Sequence, residues 1–383
     1  MFKPTVFLFH CIFLLSITAS SQKLITAPSA ANIKAVKFLG EYDIPYNLKY
    51  KNTTVGGLSG IDYDVKHKVY YLVSDDRSDI NPARFYKAKI FIKAKGIDSV
   101  QFVDVENMRQ PNDAVYPNKK QDPFHTPDPE AIRYNPLTQQ LVWSSEGERI
   151  VREKDTVLEN PSVISISTKG KFNFNFELPT NLYMHATSVG PRQNGVLEGL
   201  SFADNYKTLF VNVEEPLYED GPRADVTDTT TYIRILKFDV ASRKNIAQYA
   251  YKLEPVAYPP IPANAFKING VPDILNIGKD KFLVIERSFS TGRLACTIKV
   301  FITDLGKATN IKDVASLKEN NNFVPATKKL LLNMDDLGNY IDNIEGVTFG
   351  PKLPNGHKTL VFVADNNFAM LEKAQLLLFE VME

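Results

Sequence analysis

Five pairs of short apolar segments carry acidic or hydroxyl residues at their outer ends. The openers are Ser59, Glu130, Glu198, Asp273 and Glu345, and the closers are Asp75, Glu146, Glu214, Glu286 and Asp365. Nine carboxylates brought to one place would repel one another, so they must bind cations, be neutralised by arginines, or hold protons. No histidine or thiol cluster accompanies them, and hard oxygen donors on their own favour Ca2+ over zinc or copper. An acid at a strand start can also do no more than accept backbone N–H bonds from its own loop. The glycines in Glu198-Gly199 and Glu345-Gly346 fit close packing near an axis under either reading.

Arginines follow several of the closers: Arg77 and Arg84 after Asp75, Arg149 after Glu146, and Arg287 after Glu286, with Arg293 close by. Planar guanidinium groups grip phosphate or carboxylate through two parallel bonds, so these are candidate substrate-binding groups, and each could equally pair with a neighbouring acid. His125 and His185 lie in long connections and are the candidate acid or base, while His67 and His357 fall beside short turns. No Gly-x-Ser-x-Gly elbow, His-Glu-x-x-His or phosphate-loop glycine motif is present, so no catalytic nucleophile is assigned.

The elements that must position these groups follow from the spacing. Openers at 59, 130, 198, 273 and 345 recur every 68 to 75 residues, which marks an array of like units. Each unit reads as four strands with period-two alternation. The first has 58–63, 68–74, 84–92 and 100–106; the second has 131–134, 141–144, 162–167 and 172–178. Four-stranded antiparallel units in series predict an all-β propeller. The fifth unit runs out after its third strand, Gln375–Val381, and an unassigned strand at Ala35–Tyr42 is available to complete it. Five blades closed by the N-terminal strand are therefore expected, with six as the alternative. Closure removes the sheet edges that an open array would expose.

Links between first and second strands are short. Those between second and third strands, and between blades, are long and emerge on one face. Function is expected on the long-loop face, where the innermost strands begin and the second strands end.

Lys3, the apolar run from Val6 to Ile17 and the small residues Ala19-Ser20-Ser21 read as a secretory signal over residues 1–21, too short to span a bilayer. The remainder, 22–383, reads as one domain, secreted or periplasmic, without a membrane span and expected to be monomeric. Removing the signal takes Cys11 with it and leaves Cys296, which has no internal disulfide partner. The chain holds 45 basic and 44 acidic residues, a balance that argues against nucleic-acid binding.

Several segments together resemble one family: Ser74-Asp75-Asp76-Arg77 with Pro82-Ala83-Arg84-Phe85-Tyr86, Asp128-Pro129-Glu130-Ala131-Ile132, Ser144-Ser145-Glu146-Gly147, Leu197-Glu198-Gly199-Leu200, Ile285-Glu286-Arg287-Ser288-Phe289-Ser290, and Asn343-Ile344-Glu345-Gly346-Val347 with Asp365-Asn366-Asn367-Phe368. They are similar to the secreted phytase-like family labelled for esterase-like activity of phytase. The resemblance runs from about Gly56 to Phe368. It implies a hydrolase of phosphate esters acting on phosphorylated small molecules such as inositol phosphates, with Ca2+ at the carboxylates and Arg77, Arg84 and Arg287 on the phosphate. The sequence departs from the pattern at Ser59, which replaces an acid, and at Ala131, which replaces a glycine. A non-catalytic propeller with structural cations, binding a ligand or a protein, and a lactonase-like ester hydrolase are the alternative readings.

Overall fold

The computed structural model describes residues 1, 32–227 and 230–383, and the leader expected over residues 1–21 lies outside them apart from Met1. Five antiparallel four-stranded sheets form the blades of a ring. In the first blade Leu58–Asp64 is innermost, followed by Val69–Ser74, Arg84–Lys93 and Gly96–Asn107. The second runs Pro129–Asn135, Gln140–Ser145, Ser162–Ser167 and Phe172–Asn175, and the third Leu197–Ala203, Thr208–Val213, Tyr232–Asp239 and Asn245–Lys252. In the fourth, Lys281–Ser290, Thr297–Asp304 and Thr327–Asn333 follow an innermost strand broken into Lys267–Gly270 and Ile274–Gly278.

The fifth blade takes Asn343–Gly350, Thr359–Asp365 and Ala374–Met382 from the end of the chain and its outermost strand, Ala35–Ile44, from the beginning. The two ends of the ring are thereby stitched by main-chain hydrogen bonds, as the unpaired strand at the N-terminal end led one to expect.

Hydrophobic burial explains why the blades form a ring instead of separate sheets. One apolar cluster sits in each gap: Tyr71, Phe85 and Trp143 between blades one and two; Leu197, Val211 and Phe176 between two and three. Phe210, Phe282 and Ile235 fill the next gap, Phe362, Ile298 and Phe379 the fourth, and Leu72, Tyr86 and Leu376 the last. No blade buries both its faces alone, so each completes its neighbour's core. Among the described residues no helix is long and apolar enough to cross a membrane.

Two features of the long connections are not legible in the sequence. The 147–161 segment holds a small hairpin, Glu148–Ile150 with Val157–Glu159. Residues 305–326 form a long link between the third and fourth strands of blade four, where a compact turn is the rule elsewhere. It packs back on blade three, placing Ile311 and Leu317 against Ala250.

Candidate metal centre

The repeated acid sits at a break in strand pairing. Register slips between Leu58 and Gly60, Pro129 and Ile132, Leu197 and Leu200, and Ile344 and Gly346, so the pairing is interrupted at each innermost-strand start. A bulge of this kind re-aims a side chain that strict alternation would direct into the sheet stack. Blade four achieves the same by breaking its inner strand around Asp273. The freed backbone groups are satisfied from the neighbouring strand: Ser144 accepts from the Ala131 N–H at 3.0 Å and donates to the Glu198 carbonyl at 2.8 Å.

The adjoining glycines let inner strands of neighbouring blades touch. A Cβ on Gly199 would strike the Asn212 side chain and the Asp273 backbone, and one on Gly346 would lie 2.8 Å from the Ser59 carbonyl. Ser59 itself donates to the Glu130 carbonyl at 2.6 Å, so the hydroxyl that replaces an acid serves the contact between blades one and two.

Two trios of carboxylates result. Asp75, Asp128 and Glu130 form one; Glu130, Glu146 and Glu198 form the other; in each trio the donor oxygens lie within 4.8 Å of one another. Glu130 belongs to both. Oxygens on opposite sides of a Ca2+ ion, each at about 2.4 Å, are about 4.8 Å apart, so the spacing suits a hard cation, as does the all-oxygen donor set.

The electrostatics are those of crowded, desolvated acids. Burial, and then the Glu198, Asp75, Asp128 and Glu146 charges, hold Glu130 well above the carboxylate range. Burial with Asp128 and Glu214 pushes Glu146 up to about 8, and burial pushes Asp128 up to about 6 while Arg77 pulls it down. Asp75, Glu198 and Asp365 are raised well above the usual range by burial and by like charges. Asp75 is placed to hydrogen-bond Asp128, and Glu198 to hydrogen-bond Glu146, so a proton can bridge each pair.

Two arginines flank this cluster. Arg77 spans Asp128 at 3.2 Å and Glu148 at 2.9 Å. Arg287 spans Glu214 at 2.6 Å and Glu345 at 3.2 Å, and donates to the Asn343 side chain. Each keeps a buried Nε–H without a partner. Glu214 and Glu345 are thus neutralised from within the protein, whereas among the described residues the two trios have Arg77 alone, and it pairs only with Asp128.

Other candidates are placed elsewhere. Arg84 is fully buried, bonded to Asp76 at 2.6 Å, the Tyr86 hydroxyl at 2.7 Å and the Thr54 carbonyl at 2.8 Å, so it pins the 76–82 loop and cannot reach a substrate. Glu286 accepts from the Tyr251 hydroxyl, the Glu254 N–H, Asn269 and Lys328, at 2.7 to 3.0 Å, which uses its lone pairs at the seam between blades three and four. Asp273 is gripped by Arg133 through both oxygens, at 2.8 and 2.7 Å, and accepts the Val347 and Ile274 N–H groups. His125 is exposed and bonds Asp122, and His185 is exposed with its carbonyl taken by Arg149, so neither joins the cluster. Arg149 is half-buried and bonds the carbonyls of residues 185 to 187.

Three residues in and around the cluster escape a reading of the sequence. Arg133, mid-strand in blade two, bonds the Ile61 carbonyl of blade one, the Asp273 carboxylate and Ile274 carbonyl of blade four, and the Val347 carbonyl of blade five. It plugs the axis. Nothing in a linear pattern marks it except a basic residue among apolar strand neighbours. The signal for Asp128 is an acid two residues before Glu130, and for Glu148 an acid after the Glu146-Gly147 turn.

A closed five-bladed propeller with an incompletely compensated carboxylate cluster at one end of its axis defines the class. Residues 53–368 match the phytase-like family described as esterase-like activity of phytase, and the chain belongs to that family. No sequence among curated proteins matches. Among solved structures, an α-L-arabinofuranosidase from Lactobacillus brevis is similar at 9% identity and TM-score 0.43, over 84% of this chain and 89% of that one. The periplasmic gluconolactonase PpgL of Pseudomonas aeruginosa is similar at 10% identity and TM-score 0.35, over 86% and 90%. Hydrazine synthase of Kuenenia stuttgartiensis is similar at 12% and TM-score 0.34, over 88% and 99%. These likenesses are too loose to carry chemistry across.

Proposed function

We propose that the protein is an exported, metal-dependent phosphoesterase that binds Ca2+ at the two carboxylate trios and hydrolyses phosphorylated small molecules on the long-loop face. The observation that carries this reading is the pair of trios sharing Glu130, five acids of which all but the half-buried Asp75 are buried and which, among the described residues, have a single arginine ion pair, while Arg77 and Arg287 stand beside them.

Asp75, Asp128, Glu130, Glu146 and Glu198 would hold the cations. A hard divalent ion there supplies charge neutralisation and an electrophilic pull on phosphoryl oxygens. The chain's own residues do the rest. Arg77 and Arg287, unlike Arg84, keep part of their side chains accessible, 21% and 17%, and their fixed ion pairs keep the guanidiniums in place as charge develops. Glu146 and Glu198 are placed to share a proton, which a cation bound there would displace. Arg133 and Asp273, both buried and paired at 2.7 Å, tie the inner strands together near the axis.

Phosphate release from phytate and from an aryl phosphate, measured with added Ca2+ and with chelator, tests the reading. Turnover that needs Ca2+ and falls at least a hundredfold in Glu130→Gln supports it. A parallel assay on a lactone separates a carboxylic-ester hydrolase. No turnover of any ester with any divalent ion, while chelator lowers only the melting temperature, would establish a binding propeller with structural cations.

A further inference from the structure

Beside the carboxylate cluster the 192–194 and 218–223 segments, with Arg149 and the segment around Phe266, enclose an open pocket of about 550 Å3. Its polar wall is made of Arg149, Arg192 and Arg223. Arg149 and Arg192 both face the Tyr218 ring, at 5.0 and 4.3 Å from its centre. Arg192 is tied by Nε to the Pro216 carbonyl and by Nη2 to the Gly221 carbonyl, each at 2.9 Å. Arg149 is tied by the same two nitrogens to the 185–187 carbonyls. Among the described residues neither arginine has a carboxylate ion pair, and the Nη1 group of each donates to nothing. Arg223 is the exception, bonded to Glu215 at 2.8 Å.

Three guanidiniums with one carboxylate between them leave an excess of positive charge held in fixed geometry. Burial, with Arg223 and Arg149 adding to it, pulls the Arg192 guanidinium below its usual range although Glu215 opposes this. An arrangement that strains a cation in this way is relieved by an anion. Carbonyl tethers on two edges of Arg149 and Arg192 orient the remaining N–H groups before any ligand arrives, which lowers the ordering cost of binding.

We propose that this pocket is an anion site that takes the phosphate group of an organic phosphate, independently of any metal, with Phe266 and Tyr218 against its carbon frame. Its location gives it a role in selecting substrate. Gln193 in its wall donates to Glu148 at 3.2 Å, and Glu148 is the partner of Arg77 at the first trio. A molecule that places one phosphate at the carboxylates can place a second here, so compounds with two or more phosphates are the favoured substrate class. That second statement rests on the phosphoesterase reading; the anion site does not.

Calorimetric titration of inorganic phosphate into the full-length protein in chelator tests the site alone. Binding is expected in the wild type, weakened by salt, and about tenfold weaker in Arg149→Gln and in Arg192→Gln, the loss of one charge-assisted bond being about 1.4 kcal/mol. Arg149 is half-buried and its side chain bonds loop carbonyls alone, so an unchanged melting temperature is the check that its variant keeps the fold. No binding by the wild type, or wild-type affinity in both variants, overturns the proposal. If the Ca2+-loaded enzyme turns over, Arg149→Gln is expected to raise KM for a bisphosphate about tenfold with kcat kept and to leave a monophosphate unaffected. Equal effects on both substrates would remove the selective role. Absence of turnover would count against the phosphoesterase reading, and the phosphate titration would still decide the anion site.

Discussion

Replacing Glu130 by glutamine should have opposite effects on stability with and without Ca2+. Glu130 is the carboxylate shared by both trios, whose donor oxygens lie within 4.8 Å. Two ionised carboxylates at that distance repel by roughly 3.5 kcal/mol at an effective dielectric constant of about 20. Without a cation the wild type must accept that repulsion or hold Glu130 protonated, and its raised carboxyl reflects the second course. The neutral isostere removes the conflict, so at pH 8 in chelator Glu130→Gln should be more stable by about 2 to 4 kcal/mol. For about 350 ordered residues that is a rise in Tm of roughly 3–5 °C. At a Ca2+ concentration a hundred times Kd the wild type gains about 2.7 kcal/mol per site, whereas the variant, missing a ligand from both sites, gains little. The Tm order should reverse, as read by circular dichroism melts at the two conditions. A variant less stable than wild type by the same margin in chelator and in Ca2+ would refute the reasoning, because Glu130 would then be a structural acceptor.

Other expectations concern the frame and the protons. Arg133→Met leaves Asp273 buried without its partner, and urea unfolding should show a loss of about 3–5 kcal/mol, largely restored in the Arg133→Met, Asp273→Leu double variant. In chelator, the stability these two acids contribute should be full below about pH 4 and be lost as pH rises through about 6 and about 8, the raised values of Asp128 and Glu146. The sign follows because the folded state holds protons there that the unfolded chain has released, and Ca2+ should flatten the slope in pH-dependent melts. Gly199→Ala should cost about 1–3 kcal/mol in the same unfolding assay, since its methyl group meets the Asp273 backbone. Arg84→Gln should lower stability without altering phosphate affinity measured calorimetrically, because Arg84 bonds only Asp76, Tyr86 and neighbouring carbonyls.

The ring is legible in the sequence because period and alternation are local signals. The unit starting near Ser59 and the one starting near Glu345 have the same strand order, and the missing fourth strand in the last points to Ala35–Tyr42, which the structure extends to Ile44. The acids are legible for the same reason, yet their fates are not. Glu130 and Asp273 occupy equivalent positions, and only the Arg133 side chain, reaching across the axis from another blade, makes one a candidate ligand and the other a lock. Glu146 and Glu286 diverge similarly, because Lys328 and Tyr251 bond the second, whereas among the described residues the first has no ion pair. Spacing records which residues share a level of the propeller. It does not record which long side chains cross between blades, and those crossings decide the charge balance.

The most direct test is a crystal structure of the protein grown with Ca2+ and collected for anomalous scattering. Ions within about 2.3–2.6 Å of Glu130 and of oxygens from Asp75, Asp128, Glu146 or Glu198 are expected. Those acids paired with one another through short O–H bonds at saturating Ca2+, with no anomalous peak among them, would contradict a metal centre at this cluster.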